Sequence, residues 1–124
     1  MPLYTAITEH DCVSDETKAR IAEEITRIHT AVMNIPKNFV RVIFLSYPKH
    51  SGYTGGVAAP TAALNCVLRN GHTVEEKTDL LKQLWSVFQE LTGIATDQLA
   101  ISLQEIPSSN AMEMGRLMPA VSDK

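Results

Sequence analysis

Basic residues and long apolar runs are both scarce in this sequence of 124 residues. Eleven Lys and Arg stand against fourteen Asp and Glu, and the net charge of −3 gives no reason to expect the basic face that nucleic acid binding requires. The apolar runs are strand-sized, whereas a membrane span needs roughly 20 apolar residues. The first four residues, Met1 to Tyr4, show no basic region followed by an apolar core. We therefore expect a cytoplasmic protein with no nucleic acid partner, no membrane contact and no secretory signal.

Metal-binding patterns are absent as well. Cys12 and Cys66 stand alone, without the short spacing of a metal-binding pair, so we expect two free thiols in a reducing compartment. The four histidines are too scattered to predict a metal site: His10, His29, His50 and His72. The sequence thus predicts no bound metal.

An internal repeat organises the chain. Residues 14–48 and 73–107 align without a gap at an offset of 59, and the class of residue is kept along the whole segment. Both copies contain an apolar stripe at helical spacing, formed by Ile21, Ile25, Ile28 and Val32 and by Leu80, Leu84, Val87 and Leu91. Each stripe is followed by residues typical of a strand, at 39–47 and 99–106.

Another strand candidate precedes each helix, so the order is β-α-β twice. This order predicts one α+β domain over residues 1–124, built from two repeats at about 1–59 and 60–124. Two such units side by side give a four-stranded sheet with both helices on one face. The other face keeps apolar residues, which predicts an oligomer unless the C-terminal segment 112–119 covers it.

Pro2 follows the initiator methionine, and its chemistry depends on whether Met1 is removed. After removal, Pro2 is a secondary amine that accepts a proton when neutral, gives one when charged and attacks carbonyl groups. The nitrogen of a peptide bond is not basic, so every catalytic role of Pro2 requires the removal of Met1. The alternative interpretation is an ordinary proline after a start codon.

Four segments match a known pattern in order and at the right separations. They are Pro-x-Tyr at 2–4, a helix ending in histidine at 22–29, an arginine-bearing turn at 68–72, and Glu-x-Pro followed by a Glu-to-Gly-Arg segment within 105–116. With them, the chain resembles the tautomerase superfamily, whose members use an amino-terminal proline as the catalytic group. Within it, the chain looks most like the cis-3-chloroacrylic acid dehalogenase family.

The resemblance implies a role for each candidate residue. Pro2 would be the acid or base, and Glu113 would activate water or hold a substrate hydroxyl. Arg69 would clamp the substrate carboxylate through two parallel hydrogen bonds, with His29 as a second donor. Without the resemblance, Arg69 is a surface arginine, His29 a packed core residue and Glu113 a solvated residue of the tail.

Two positions depart from the family's dehalogenases. His72 stands where they have a second arginine, and histidine can donate to a substrate carboxylate although it is largely neutral near pH 7. Ser102 stands where they have a tyrosine that works with the glutamate on water, and serine is too short to replace a phenol. Both departures favour proton transfer over hydrolytic dehalogenation.

The leading hypothesis is therefore a tautomerase or isomerase that moves a proton through Pro2 on a small 2-oxo or enol carboxylic acid. It needs no metal or organic cofactor, because the proton acceptor belongs to the protein, and family analogy implies a homotrimer. The second hypothesis is a dehalogenase, hydratase or decarboxylase of small unsaturated acids. The third, which applies if Met1 is retained, is an oligomeric module without catalytic activity.

Overall fold

The computed structural model describes residues 1–121, and its elements form two matching series. The first series consists of β1 (Leu3–Glu9), α1 (Asp15–Met33), β2 (Arg41–Tyr47) and the hairpin strands β3 (Tyr53–Thr54) and β4 (Val57–Ala58). The second series consists of β5 (Ala62–Arg69), α2 (Val74–Thr92), β6 (Leu99–Ile106) and the hairpin strands β7 (Met112–Glu113) and β8 (Arg116–Leu117). Short 3-10 helices lie before β2, β6 and β7, at Lys37–Phe39, Thr96–Gln98 and Ser108–Asn110.

The four long strands form one sheet in the order β2-β1-β5-β6. The pairs β1–β2 and β5–β6 are parallel, as two β-α-β units require, and the antiparallel pair β1–β5 joins the units. The helices α1 and α2 pack against each other over one face of the sheet. The predicted fold of two β-α-β units with both helices on one face is confirmed.

Capping residues set both helix boundaries. Ser14 accepts a hydrogen bond from the first turn of α1 at 3.2 Å, and Asn34 ends this helix in the left-handed conformation with φ of 52°. At α2, Thr73 and Glu76 form a complete capping box, and Gly93 ends the helix with φ of 70°. Equivalent signals therefore begin and end the two helices.

The apolar stripes face the core, with one difference from the predicted pattern. All three isoleucines of the first stripe and both leading leucines of the second are buried: Ile21, Ile25, Ile28, Leu80 and Leu84. In α2, Phe88 is fully buried although it lies outside the predicted stripe, and Val87 is only partly buried. The reason is that Leu80, Leu84 and Phe88 recur every four residues and so stay on the central line of the buried face.

The sheet face opposite the helices stays open within one chain. Ile7, Ile43 and Leu45 are 40%, 49% and 52% exposed, and Ile7 lies beside Leu45 in the β1–β2 ladder. The C-terminal segment leaves these side chains half-exposed, so an oligomer remains the expected way to cover them. Among the described helices, none has both the length and the apolar character that crossing a membrane demands.

Candidate active site

The amino terminus and the end of β5 lie at one edge of the sheet. Leu3 pairs with Val67 in the antiparallel β1–β5 ladder, so the residues before Leu3 lie beside those after Val67. Pro2 is less than 2% exposed, and its carbonyl accepts a hydrogen bond from the backbone N–H of Arg41 at 3.1 Å. Because β1 and β2 are parallel, the start of β2 is held at the same edge.

Met1 carries the amino terminus, and its amino group forms an ion pair with Oε1 of Glu113. Both partners are shielded from solvent, with side chains 17% and 9% exposed. The second carboxylate oxygen of Glu113, Oε2, is buried and has no hydrogen-bond donor among the described residues. Glu113 therefore has one oxygen engaged by the amino terminus and one available to a further donor.

The environment of the amino terminus favours a neutral amine. Pairing with Glu113 by itself favours the charged form, but burial and then the positive charges of Arg69 and Arg41 act against it. The net effect lowers the pKa of the Met1 amino group from 8.0 to about 6. The Met1 amine is thus mainly in its neutral form at pH 7.

Arg69 is the last residue of β5 and is only 5% exposed. Its Nη1 donates a hydrogen bond to the carbonyl of Pro119, which ties the C-terminal segment to this edge of the sheet. Burial lowers the pKa of the guanidinium, which nevertheless stays charged at any working pH. The bond to Pro119 uses one of five N–H donors, so Arg69 can also bind a carboxylate.

A cavity of about 250 Å³ opens beside Met1 and Arg69. Among residues 1–121, Arg69 and Arg116 are the arginines that line it. Its remaining walls are apolar side chains and prolines, contributed by Ile35, Pro36, Phe39, Leu117, Met118 and Pro119. A cationic end and apolar walls suit an organic acid that has a carboxylate and an apolar body.

Arg41 and Arg116 are two cations at this edge to which sequence reasoning gave no role. Arg116 lies within the matched 105–116 segment, but its position in the cavity wall depends on the fold of the β7–β8 hairpin. Arg41 could have been found from the strand order, because the first residue of a strand parallel to β1 must lie beside the amino terminus.

The two histidine candidates do not line the cavity. His29, on α1, is 2% exposed, and its Nδ1 lies 2.6 Å from the hydroxyl of Tyr4. The two rings meet edge to face, with centroids 5.5 Å apart. His72 is half-buried, three residues beyond Arg69. The structure thus brings Arg69 and Glu113 to the amino terminus, while His29 is connected to this edge through Tyr4.

Ser102 lies on the open face of the sheet, where its hydroxyl donates to Oδ1 of Asn65 at 2.9 Å. Ser102 is not among the residues that line the cavity. Within residues 1–121, no group of three or more His, Cys, Asp or Glu side chains is arranged to hold a metal ion.

Comparisons with known proteins identify the family and the fold of this chain. The model of the family described as "Putative oxalocrotonate tautomerase enzyme" matches residues 1–124. The crystal structure of native Ps01740 is 29% identical with a TM-score of 0.87, covering 90% of this chain and 99% of that chain. The structure of N1, a member of the cis-3-chloroacrylic acid dehalogenase family, is 26% identical with a TM-score of 0.92, covering 98% and 86%.

Two further similarities carry less weight. A fused 4-OT symmetric trimer, Q0, has a TM-score of 0.84 over 94% of both chains, but at 21% identity it supports the fold alone. The chain is also 31% identical over 84 residues to the genome polyprotein of Human rhinovirus A serotype 89 (strain 41467-Gallo). That match covers 68% of this chain and spans only 4% of the polyprotein, so it supports no function.

Proposed function

We propose that this chain moves a proton on a small 2-oxo or enol carboxylic acid through Pro2. The chain belongs to the oxalocrotonate tautomerase family, whose model matches residues 1–124. The sequence resemblance to the tautomerase superfamily, and to its cis-3-chloroacrylic acid dehalogenase family, is confirmed. Members of this superfamily are generally enzymes, and the specific activity and substrate of this chain are proposals. In the proposal, removal of Met1 turns the nitrogen of Pro2 into the amino terminus.

The observation that carries the proposal is the environment of the terminal amine. An amino group at this edge has Glu113 as ion-pair partner and two arginines close enough to lower its pKa. Burial and the same arginines act on a Pro2 amine in the same direction, which favours a neutral base at physiological pH. A base whose pKa lies near the working pH can both accept and return a proton.

The proposed reaction interconverts an enol acid and its keto form. The neutral Pro2 amine takes the proton of the enol hydroxyl, the carbonyl forms, and the same proton is then delivered to the adjacent carbon. No proton is gained or lost overall, and no electron acceptor is needed. Glu113 stabilises the protonated amine between the two steps, as a carboxylate beside an ammonium group does.

The carboxylate of the substrate is the anchor in this proposal. Arg69 binds it through N–H donors that are not used by Pro119. The family pattern implies His29 and His72 as further donors, although neither lines the cavity within one chain. The apolar walls of the cavity support an acid whose remaining atoms are apolar. Arg69 would neutralise the carboxylate of such a substrate, and the apolar walls would remove water from its remaining atoms.

A homotrimer is part of the proposal. The supporting observation is the open sheet face, where Ile7, Ile43 and Leu45 remain half-exposed. A neighbouring chain packed on this face would bury these side chains and come close to Arg41, which lies on the same face at the start of β2. Light scattering coupled to size-exclusion chromatography measures the mass directly, and a monomer at micromolar concentration would contradict this part.

A second candidate, hydrolytic chemistry on unsaturated acids, is favoured by one observation. The buried Oε2 of Glu113 has no donor among the described residues and could orient a water molecule. Against it, Ser102 is bonded to Asn65 and does not line the cavity, and the chain has His72 in place of a second arginine. A third candidate, an oligomeric module without turnover, applies only to a chain that keeps Met1.

Two parallel assays separate these candidates. Purified protein is given enolpyruvate, with ketonisation followed by absorbance, and both 3-chloroacrylate isomers, with chloride release followed by a halide probe. The proposal expects ketonisation well above the buffer rate and little or no chloride release. Chloride release that exceeds ketonisation would favour the hydrolytic candidate, and a protein that keeps Met1 and shows neither activity would favour the module. A protein that begins with Pro2 and shows neither activity would contradict the proposal.

A further inference from the structure

We infer that Tyr4 is a positioning residue, whose hydroxyl donates to Nδ1 of His29 and holds this imidazole in the tautomer that carries its proton on Nε2. The catalytic consequence rests on the proposed function, in which His29 contributes a donor to the substrate. The hydrogen bond and the tautomer do not depend on that proposal, so they can be tested separately.

The geometry leaves the His29 ring little freedom. The Tyr4 hydroxyl lies 2.6 Å from Nδ1, and the Tyr4 and His29 side chains are 0% and 2% exposed. The rings meet at 88° with centroids 5.5 Å apart. The edge-to-face contact fixes the plane of the imidazole, and the hydrogen bond fixes which nitrogen faces Tyr4.

The direction of the hydrogen bond follows from the partners of Tyr4. Burial first, and then interaction with Cys66, raises the pKa of the Tyr4 phenol, so the hydroxyl keeps its proton. That proton needs an acceptor in a site without solvent access. Cys66, which faces Tyr4 across the β1–β5 pair, offers only a weak sulfur acceptor, whereas Nδ1 of a neutral imidazole is a strong one. Tyr4 therefore donates and Nδ1 accepts.

The second half of the chain provides an internal control for this pair. His29 and Phe88 occupy the same position in two 19-residue helices. Leu3 pairs with Arg41 as Ala63 pairs with Ala100, so Tyr4 and Leu64 occupy equivalent strand positions. Leu64 and Phe88 are fully buried apolar residues.

The two equivalent positions are thus filled by apolar residues in the second half and by polar residues in the first half. Packing alone does not require the Tyr4–His29 hydrogen bond, which supports a role in function. The expected tautomer fits that role, because an Nε2–H group donates to a carboxylate or carbonyl oxygen. The opposite tautomer would present a lone pair and repel the same oxygen.

Nitrogen-15 NMR of the intact protein reads the tautomer without any assay of activity. The two ring nitrogens of His29, assigned by loss of their signals in His29→Gln, are expected to show an unprotonated Nδ1 and a protonated Nε2 at neutral pH. A protonated Nδ1, in either a neutral or a doubly protonated ring, would overturn the inference.

A matched pair of variants tests the part played by Tyr4. Tyr4→Phe removes the hydroxyl, keeps the ring, and is expected to give a mixture of His29 tautomers and a KM about fivefold higher, the effect of losing one neutral hydrogen bond. Tyr47→Phe is the control, because the Tyr47 hydroxyl donates to the carbonyl of Thr61, also at 2.6 Å, at the opposite edge of the sheet. It should change neither quantity.

The outcomes separate this inference from the proposed function. If Tyr4→Phe leaves the His29 tautomer as it is in the parent protein, Tyr4 does not position the ring and the inference fails. If the parent protein ketonises no 2-oxo acid, the proposed function fails, and the tautomers of the parent and Tyr4→Phe still decide the role of Tyr4.

Discussion

The two ends of the sheet have the same backbone arrangement and differ in the chemistry of their side chains. The hairpin β3–β4 is closed by a hydrogen bond from Ala59 N to Gly52 O, and β7–β8 by the bond from Met118 N to Ala111 O, each 59 residues further along. The helices have equal length and equivalent caps. Since the backbone repeats, a change from apolar to polar side chains at equivalent positions is not required by the fold and marks a candidate for function.

The end opposite the amino terminus has a cleft of its own, of about 310 Å³. Pro60, Ile94, Ala95 and Gln98 line it, at the positions where the candidate site has Pro119, Ile35, Pro36 and Phe39. At that end, Thr61 precedes β5 within the chain and has no free amine. Thr54, the counterpart of Glu113, is bonded to Gln98 at 2.8 Å. The repeated fold thus has two clefts, and the amine, the carboxylate and the arginine are combined at one of them.

The largest effect is expected when the amine is changed. Pro2→Ala leaves a primary amine on a flexible residue, and we expect kcat for ketonisation to fall about 100-fold, within the range for loss of a general acid–base group. Thr61→Ala changes the residue directly before β5, at the other end of the sheet, and it should leave kcat unchanged. Equal kinetics for Pro2→Ala and the parent would show that the two ends do not differ in the way we propose.

The second-largest effect is expected when Arg69 is changed. Arg69→Gln removes the charge at the end of β5, and KM is expected to rise about 10- to 100-fold because a charge-assisted bond to the carboxylate is lost. Glu9 ends β1 as Arg69 ends β5, so Glu9→Gln is the matched control and should leave KM unchanged. A fall in kcat with constant KM for Arg69→Gln would mean that Arg69 does not anchor the ground-state substrate.

The free energy of unfolding tests whether the polar pair of the first half is needed for the fold. His29→Phe copies Phe88 into the first half but leaves the buried Tyr4 hydroxyl without His29 as acceptor, and should cost about 1–3 kcal/mol in denaturant unfolding. The double variant Tyr4→Phe/His29→Phe makes the pair apolar, as Leu64 and Phe88 are, and should recover most of that loss. A double variant as unstable as the single one would show that the fold itself needs the polar pair.

The smallest effect concerns a chain that keeps Met1. Its amine has a folded pKa of about 6 against 8.0 for the free group, so between these values the unfolded chain binds more protons. Stability from this group is therefore fully present above pH 8 and is lost as the pH falls through about 6. Amine acylation against pH should give a midpoint near 6, and a midpoint near 8 would contradict the lowered pKa.

Much of the fold could be predicted because the signals are local. Caps at Ser14 and Thr73, apolar stripes and strand-forming runs depend on neighbours in the sequence. The burial of Phe88 was missed because helix periodicity gives the face and leaves the central line of the stripe undetermined. Two-residue strands such as β7 and β8 are too short to show any periodicity at all.

The candidate site was only partly predictable. The family pattern pointed to Pro2, Arg69 and Glu113, and strand order explains why the first two lie at one edge. The contact of Glu113 with the amino terminus depends on how the β7–β8 hairpin folds back, which is a tertiary event. The partnership of Tyr4 with His29 likewise joins residues of a strand and a helix that no local pattern connects.

Intact-mass spectrometry of the purified, active protein tests the central claim most directly. The account predicts that the mature chain is lighter than the full sequence by one methionine residue, so that a proline amine is exposed beside Glu113 and Arg69. A fully active preparation whose every molecule still bears Met1 would contradict it.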